Sequence, residues 1–250
     1  MVQETNARKN GKHQLDNFVL FESKRTKMGG GSMLGVSKDL NPVLVSLYEN
    51  DFELIVVETK IGRREIRFIT GYGPQEDWSD DLKAPFFVAL NTEISKALSE
   101  GKSIYIAMDA KCKLGTTYIP KDMHNMSKNG EILSDIIETN ALIVVNGLEQ
   151  KCSSVVTRQR HTEYGRVEES AIDVVLVSAD LEDDLISLNI DEERKYALTK
   201  ITKNKKGKET KTISDHNILE CDIDIRFQRK KVSPKEELYN LKKQIMSREI

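Results

Sequence analysis

Ser170-Ala171-Ile172-Asp173-Val174-Val175-Leu176-Val177-Ser178 is an apolar strand that carries a carboxylate near its start. A buried carboxylate needs a partner, because an unpaired charge away from water is costly. Three other segments share this build. Ile104-Tyr105-Ile106-Ala107-Met108-Asp109 is an apolar strand ending in a carboxylate. Ile69-Thr70-Gly71-Tyr72-Gly73-Pro74-Gln75 is a strand running into a turn, and Ser214-Asp215-His216-Asn217 sets an acid beside an imidazole. Each puts polar residues at or beside a strand end, where a rigid sheet can hold them in one cleft. Carboxylates gathered there suit Mg²⁺, which takes oxygen ligands and keeps several waters. An Asp can fix the tautomer of a nearby His.

Around these segments the chain reads as α/β. Val- and Ile-rich runs predict strands at Val43 to Leu47, Leu54 to Glu58, Glu65 to Thr70, Ile104 to Met108, Leu142 to Val145, Ile172 to Val177 and Ile218 to Ile225. Glu65-Ile66-Arg67-Phe68-Ile69 alternates apolar with polar, and Asn50 to Phe52 has hairpin chemistry. Helical spacing predicts helices over Leu82 to Leu98 and Glu131 to Thr139. Ser233-Pro234-Lys235-Glu236 reads as a capping box opening a last helix, with Leu238, Leu241 and Ile245 as its stripe. Strands come consecutively early on and alternate with helices later, which suits mixed sheets flanked by helices.

Composition sets bounds. The chain has 250 residues, enough for one large domain, with 38% hydrophobic and 31% charged residues and a net charge of -2. Nucleic-acid contact must therefore come from a local basic patch. Cys112, Cys152 and Cys221 are odd in number and far apart, which argues against a disulfide framework or a zinc site and fits a reducing intracellular compartment. No apolar run approaches the roughly 18 residues that span a bilayer. Gly30 to Gly35 has phosphate-loop spacing, but Val36 stands where that loop needs lysine, so it reads as a strand entry. His13, His124 and His161 lack metal-ligand spacing. Lys200, Lys203, Lys205, Lys206, Lys208 and Lys211 precede Ser214 and read first as a solvated hairpin or loop, with a DNA phosphate contact as the alternative.

Taken together, in this order and with Val2-Gln3-Glu4-Thr5 at the start, the segments resemble the endonuclease/exonuclease/phosphatase (DNase I-like) superfamily. Gly29-Gly30-Gly31, Glu53-Leu54-Ile55, Tyr72-Gly73-Pro74-Gln75, Asn129-Gly130-Glu131 and Thr157-Arg158 look like its non-LTR retroelement branch. The resemblance implies a four-layer α/β/β/α sandwich of two mixed sheets flanked by helices, over residues 1–225, with residues 226–250 as a basic linker and C-terminal helix. It implies Mg²⁺-dependent (or Mn²⁺-dependent) phosphodiester hydrolysis by a DNA-nicking domain in the nucleus, followed in a longer polyprotein by a reverse transcriptase. Glu4 and Asp215 would serve the metal, one ion or two. Tyr72 would support the scissile phosphate and Asp109 the attacking water. Asp173 would hold His216, and His216 would stabilise the transition state, while Thr157 and Arg158 would line the substrate groove. The alternatives are a non-catalytic DNA-binding remnant and another phosphoesterase of the fold, acting on RNA tails, phosphoinositides or sphingomyelin.

Two departures stand out. Met108-Asp109-Ala110-Lys111 puts Lys111 where the superfamily has asparagine. Lys offers only a charged donor on a long stem; it can grip phosphate, and impaired turnover is expected. The superfamily also begins with an apolar strand and a helix ahead of the Glu4 motif, so the first strand is expected to be missing, leaving an exposed sheet edge.

Overall fold

The computed structural model describes residues 1–3, 5, 14–24, 30–49, 51–161, 165–196, 199–203 and 209–225, with the backbone alone for 199–203 and 209–213. Glu4, the His13 segment, Gly29, Lys205, Lys206, Lys208 and the capping-box helix after residue 225 lie outside the described residues.

A six-stranded sheet organises the chain. Its strands are β4 (Val43–Tyr48), β5 (Glu53–Ile61), β6 (Arg64–Tyr72), β7 (Ser103–Asp109), β8 (Leu142–Val144) and β11 (Asp173–Ser178). Their order is β4-β5-β6-β7-β11-β8. The β6–β7 pair is parallel and the others are antiparallel, so the sheet is mixed. A parallel pair needs a crossover, and helix α1 (Asp80–Ser99) supplies it. Helices α2 (Gly115–Tyr118) and α3 (Lys128–Thr139) follow β7. The Ser127 hydroxyl caps α3 by accepting from the Gly130 amide.

Smaller antiparallel sheets complete the structure. One joins β1 (Val2–Gln3), β2 (Phe18–Ser23) and β3 (Ser32–Ser37) in the order β1-β3-β2. The others are the pairs β9 (Arg158–His161) with β10 (Val167–Ser170), β12 (Leu185–Ile190) with β15 (Leu219–Ile223), and β13 (Thr199–Lys203) with β14 (Glu209–Ile213). Residues 199–203 and 209–213, which carry Lys200, Lys203 and Lys211, pair as antiparallel backbone.

The main sheet is buried on both faces, which explains the unbroken run Leu54-Ile55-Val56-Val57, each fully buried. Leu54, Val56, Ile69, Ile104, Ile106, Val174 and Leu176 pack with Phe86, Leu90 and Ile94 of α1 and Leu133 and Ile137 of α3. On the opposite face Ile55 and Val57 meet Leu34 and Val36 of β3, while Val175 and Val177 meet Leu188 and Ile190 of β12. Among the described residues, helices α1 and α3 thus cover one face of the main sheet and the smaller sheets cover the other.

The alternating run Glu65 to Ile69 lies in β6, as expected, and its Arg67 is 1% exposed. Helix α1 covers it, and acids neutralise it. Arg67 donates from Nε and Nη2 to Glu58 Oε1 at 2.8 and 2.5 Å, from Nη1 to the Glu93 carbonyl at 2.8 Å, and from Nη2 to Glu100 Oε2 at 3.2 Å.

Candidate active site

Strand register builds the site before any side chain is considered. Glu53 pairs with Tyr72, Tyr72 with Asp109, and Asp109 with Asp173. Four polar residues thus stand in one row across β5, β6, β7 and β11. Side chains alternate between the two sheet faces, so this row faces away from the helices, alongside Ile55, Phe68, Ala107 and Val175. A cavity of about 450 Å³ opens on that face between β1 and β15, and Asp109, Asp173 and His216 are among its walls.

Buried amides and hydroxyls fix the row. The Thr157 hydroxyl, fully buried, accepts from the backbone N–H groups of Ile172 and Asp173, both at 3.0 Å. Asn146 donates to the Asp173 carbonyl at 3.2 Å and accepts from the Val175 amide at 2.8 Å. The turn after Tyr72 is held by the Gly73 amide donating to the Asp109 carbonyl at 2.7 Å and by Asn129 donating to the Pro74 carbonyl at 2.8 Å. A side chain at Gly73 would lie 2.2 Å from the Ala110 carbonyl oxygen, so glycine is required there. On β5, Glu53 accepts from the Gly31 amide and the Ser32 hydroxyl, each at 2.9 Å.

His216 reaches the row from the other side of the chain. Its segment is clipped to β9 by the Gln159 amide donating to the Asp215 carbonyl and the Asn217 amide donating to the Thr157 carbonyl, both at 2.7 Å. His216 Nδ1 donates to the two oxygens of Asp173 at 3.0 and 2.9 Å. That hydrogen bond leaves Nε2 turned inward, 3.7 Å from Asp109 Oδ2. Burial lowers the affinity of His216 for its second proton, but the hydrogen bond and charge of Asp173 outweigh it, and its pKa is raised. For Asp109, burial and then the charge of Asp173 push the pKa up to about 6, against the opposing pull of Lys111 and His216. Lys111 Nζ stands 2.7 Å from Asp109 Oδ2 and 4.8 Å from the centre of the Tyr72 ring.

Asp109, Asp173 and His216 each offer a ligand atom within 4.8 Å of the others. Carboxylate oxygens with one imidazole form a donor set that fits a hard divalent cation.

No family model and no curated protein matches the sequence. Solved structures do match. The endonuclease domain of TRAS1, a telomere-specific non-LTR retrotransposon, superposes with a TM-score of 0.59 at 17% identity, over 86% of this chain and 83% of that one. The 3'-5' exonuclease NExo from Neisseria meningitidis gives a TM-score of 0.61 at 15% identity, over 89% and 87%. An AP endonuclease from Archaeoglobus fulgidus gives 0.59 at 15% identity, over the same 89% and 87%. The chain has the endonuclease/exonuclease/phosphatase fold.

Within that fold, the structure gathers Tyr72, Asp109, Lys111, Asp173 and His216 into one cluster. Asp215 stands beside it but points to Arg158, whose Nε and Nη2 both lie 2.7 Å from Asp215 Oδ2. Burial works against the Asp215 carboxylate, yet Arg158 more than compensates and its pKa is lowered. Thr157 is placed under the site, holding β11, and its buried hydroxyl does not face a groove. Glu4 is outside the described residues; its neighbours Gln3 and Thr5 donate to the Thr70 hydroxyl at 3.1 Å and to the Gly31 carbonyl at 3.0 Å. Sequence reading gave no site role to Glu53, which belongs to the row, or to Asn146, which orients Asp173. Glu53 enters only as part of the Glu53-Leu54-Ile55 resemblance, without a role of its own. Asn146 closes an apolar run, and a polar residue at such a strand end was its only available signal.

Proposed function

We propose that this chain hydrolyses phosphodiester bonds in DNA with the help of a divalent cation, Mg²⁺ or Mn²⁺, as the nicking domain of a nuclear retroelement polyprotein that also carries a reverse transcriptase. The observation that carries this reading is the meeting of Asp109, Asp173 and His216 at one strand-end row beside a cavity. The structural neighbours include a retrotransposon endonuclease domain and an enzyme bound to a product DNA hairpin, and they support the choice of DNA.

The chemistry follows from the geometry. Asp173 holds His216 with Nδ1–H, so Nε2 is the nitrogen that meets substrate. With its pKa raised, His216 keeps a proton there nearer to neutral pH and donates it to a phosphoryl oxygen as negative charge develops. Asp109, at the end of β7, would orient the attacking water. Glu4 and Asp215, with the Asp109 carboxylate, are the groups that would hold the cation. When bound, the cation supplies a Lewis acid for the phosphoryl oxygen. Tyr72, at the end of β6 in the same row, borders the phosphate position.

Nicking of supercoiled plasmid in Mg²⁺ tests this. The parent chain converts supercoiled to relaxed circles, and Asp109→Asn or His216→Gln slows that conversion by ~10²–10⁴-fold. Nicking that survives both substitutions refutes the assignment. A second reading, a DNA-binding remnant without turnover, draws on one observation: the Lys111 ammonium already occupies the face of Asp109. It predicts DNA binding with no relaxed product at any Mg²⁺ concentration.

A further inference from the structure

Lys111 is the charged residue of the cluster that hydrolysis leaves unused. Its backbone has φ of 49°, in the left-handed region that residues other than glycine seldom adopt. That turn folds the residue back over the end of β7. Its amide donates to Asp109 Oδ1 at 3.3 Å while its ammonium stands 2.7 Å from Asp109 Oδ2. The ammonium also lies over the Tyr72 ring, a position that favours a cation. The Lys111 side chain is 13% exposed and that of Asp109 2%, so little water screens the pair.

A positive charge is therefore built into the place where a divalent cation would meet Asp109. Metal entering there has to share or displace the ammonium. A largely buried ammonium that loses a carboxylate partner is costly unless another anion takes its place. A phosphodiester is such an anion, and lysine binds phosphate as a point charge. Resting on the hydrolytic reading of this cluster, we propose that Lys111 makes cation and phosphodiester binding mutually dependent. In the free protein the ammonium holds Asp109; a phosphodiester accepts the ammonium and releases the carboxylate to the metal. The site thus loads metal and substrate together, and stays poorly metallated without substrate.

Free Mn²⁺ followed by electron paramagnetic resonance reads this without any turnover. Dimethyl phosphate, an unreactive phosphodiester anion, is the probe. The intact chain is expected to bind Mn²⁺ about tenfold more tightly with dimethyl phosphate than without, a coupling of ordinary size for linked sites. Lys111→Gln binds Mn²⁺ tightly in both conditions, and Lys111→Arg keeps the dependence. Equal Mn²⁺ affinity of the parent with and without dimethyl phosphate overturns the proposal and leaves the hydrolytic reading standing. No Mn²⁺ uptake by parent or Lys111→Gln in either condition overturns both. The comparison within the parent needs no variant, so a folding defect in a substituted chain does not blur the answer.

Discussion

Two buried charge clusters share strand β6 and its neighbours, and they are built on opposite lines. At one, Arg67 spreads its guanidinium over Glu58, Glu93 and Glu100, and Lys102 bridges Glu58 and Glu100 at 2.7 and 2.8 Å. At the other, five residues further along β6 and so about 16 Å away, Asp109 and Asp173 crowd together with His216 and Lys111. Burial disfavours the Glu58 carboxylate, but hydrogen bonds from Lys102 and Arg67 more than offset it and its pKa falls. Burial disfavours the Asp109 carboxylate too, and there the nearby Asp173 adds to it, so its pKa rises to about 6. Asp109 Oδ2 is met by the Lys111 ammonium at 2.7 Å and by His216 Nε2 at 3.7 Å. The first cluster pairs each of its three carboxylates with Arg67 or Lys102. The second keeps a carboxylate under tension, which is the condition of a group that has a further partner to meet.

That contrast can be broken most forcefully at Arg67. Arg67→Met leaves the buried Glu93 carboxylate without its cation and should cost about 3–5 kcal/mol of folding stability, measured by urea unfolding, while Mn²⁺ affinity stays at the parent value. Loss of Mn²⁺ binding in a folded Arg67→Met chain would mean that the two clusters are one system. Thr157→Val comes next. It strips the acceptor from the Ile172 and Asp173 amides, at a cost of about 1–3 kcal/mol, and slows nicking because Asp173 loses its fixed backbone. Full activity in Thr157→Val would remove Thr157 from the positioning of the site. The smallest effect is in pH. His216, with its pKa raised, stabilises the fold below the ordinary histidine range, and that contribution is lost as pH rises through its folded value. Asp109, also raised, favours the folded state in its protonated form, so it too contributes less as pH climbs through about 6. The metal-free parent should therefore lose stability relative to His216→Gln between pH 5.5 and 8.5. A difference that grows with pH contradicts the sign.

Much of this was legible in the chain. The strands of the main sheet carry continuous Val and Ile runs because both faces are covered, and a run such as Ile104 to Met108 leaves little else to be. Asp109 and Asp173 were visible for the same reason: a carboxylate interrupts an apolar strand. What stayed hidden depends on contacts far apart in sequence. β2 and β12 were not anticipated, although four of the six residues in each are apolar; each is completed by pairing with another strand, β3 or β15. β9, Arg-Gln-Arg-His, has no apolar residue at all and is ordered by pairing with β10 and by the Asp215 carbonyl. Thr157 reads as a groove residue because Arg158 follows it, whereas its partners are thirteen to sixteen positions on. The hold of Lys111 on Asp109 depends on a positive φ that an Ala-Lys-Cys stretch does not announce.

The row Glu53, Tyr72, Asp109, Asp173 is written in the hydrogen-bond ladder rather than in loops. Because the pleat repeats every two residues, deleting one residue of β7 ahead of Asp109 would turn Asp109 toward the helices and present Ala110 in its stead. A change of length in these strands therefore takes the row out of line. Length can change instead in exposed connections away from the ladder and leave the row in register.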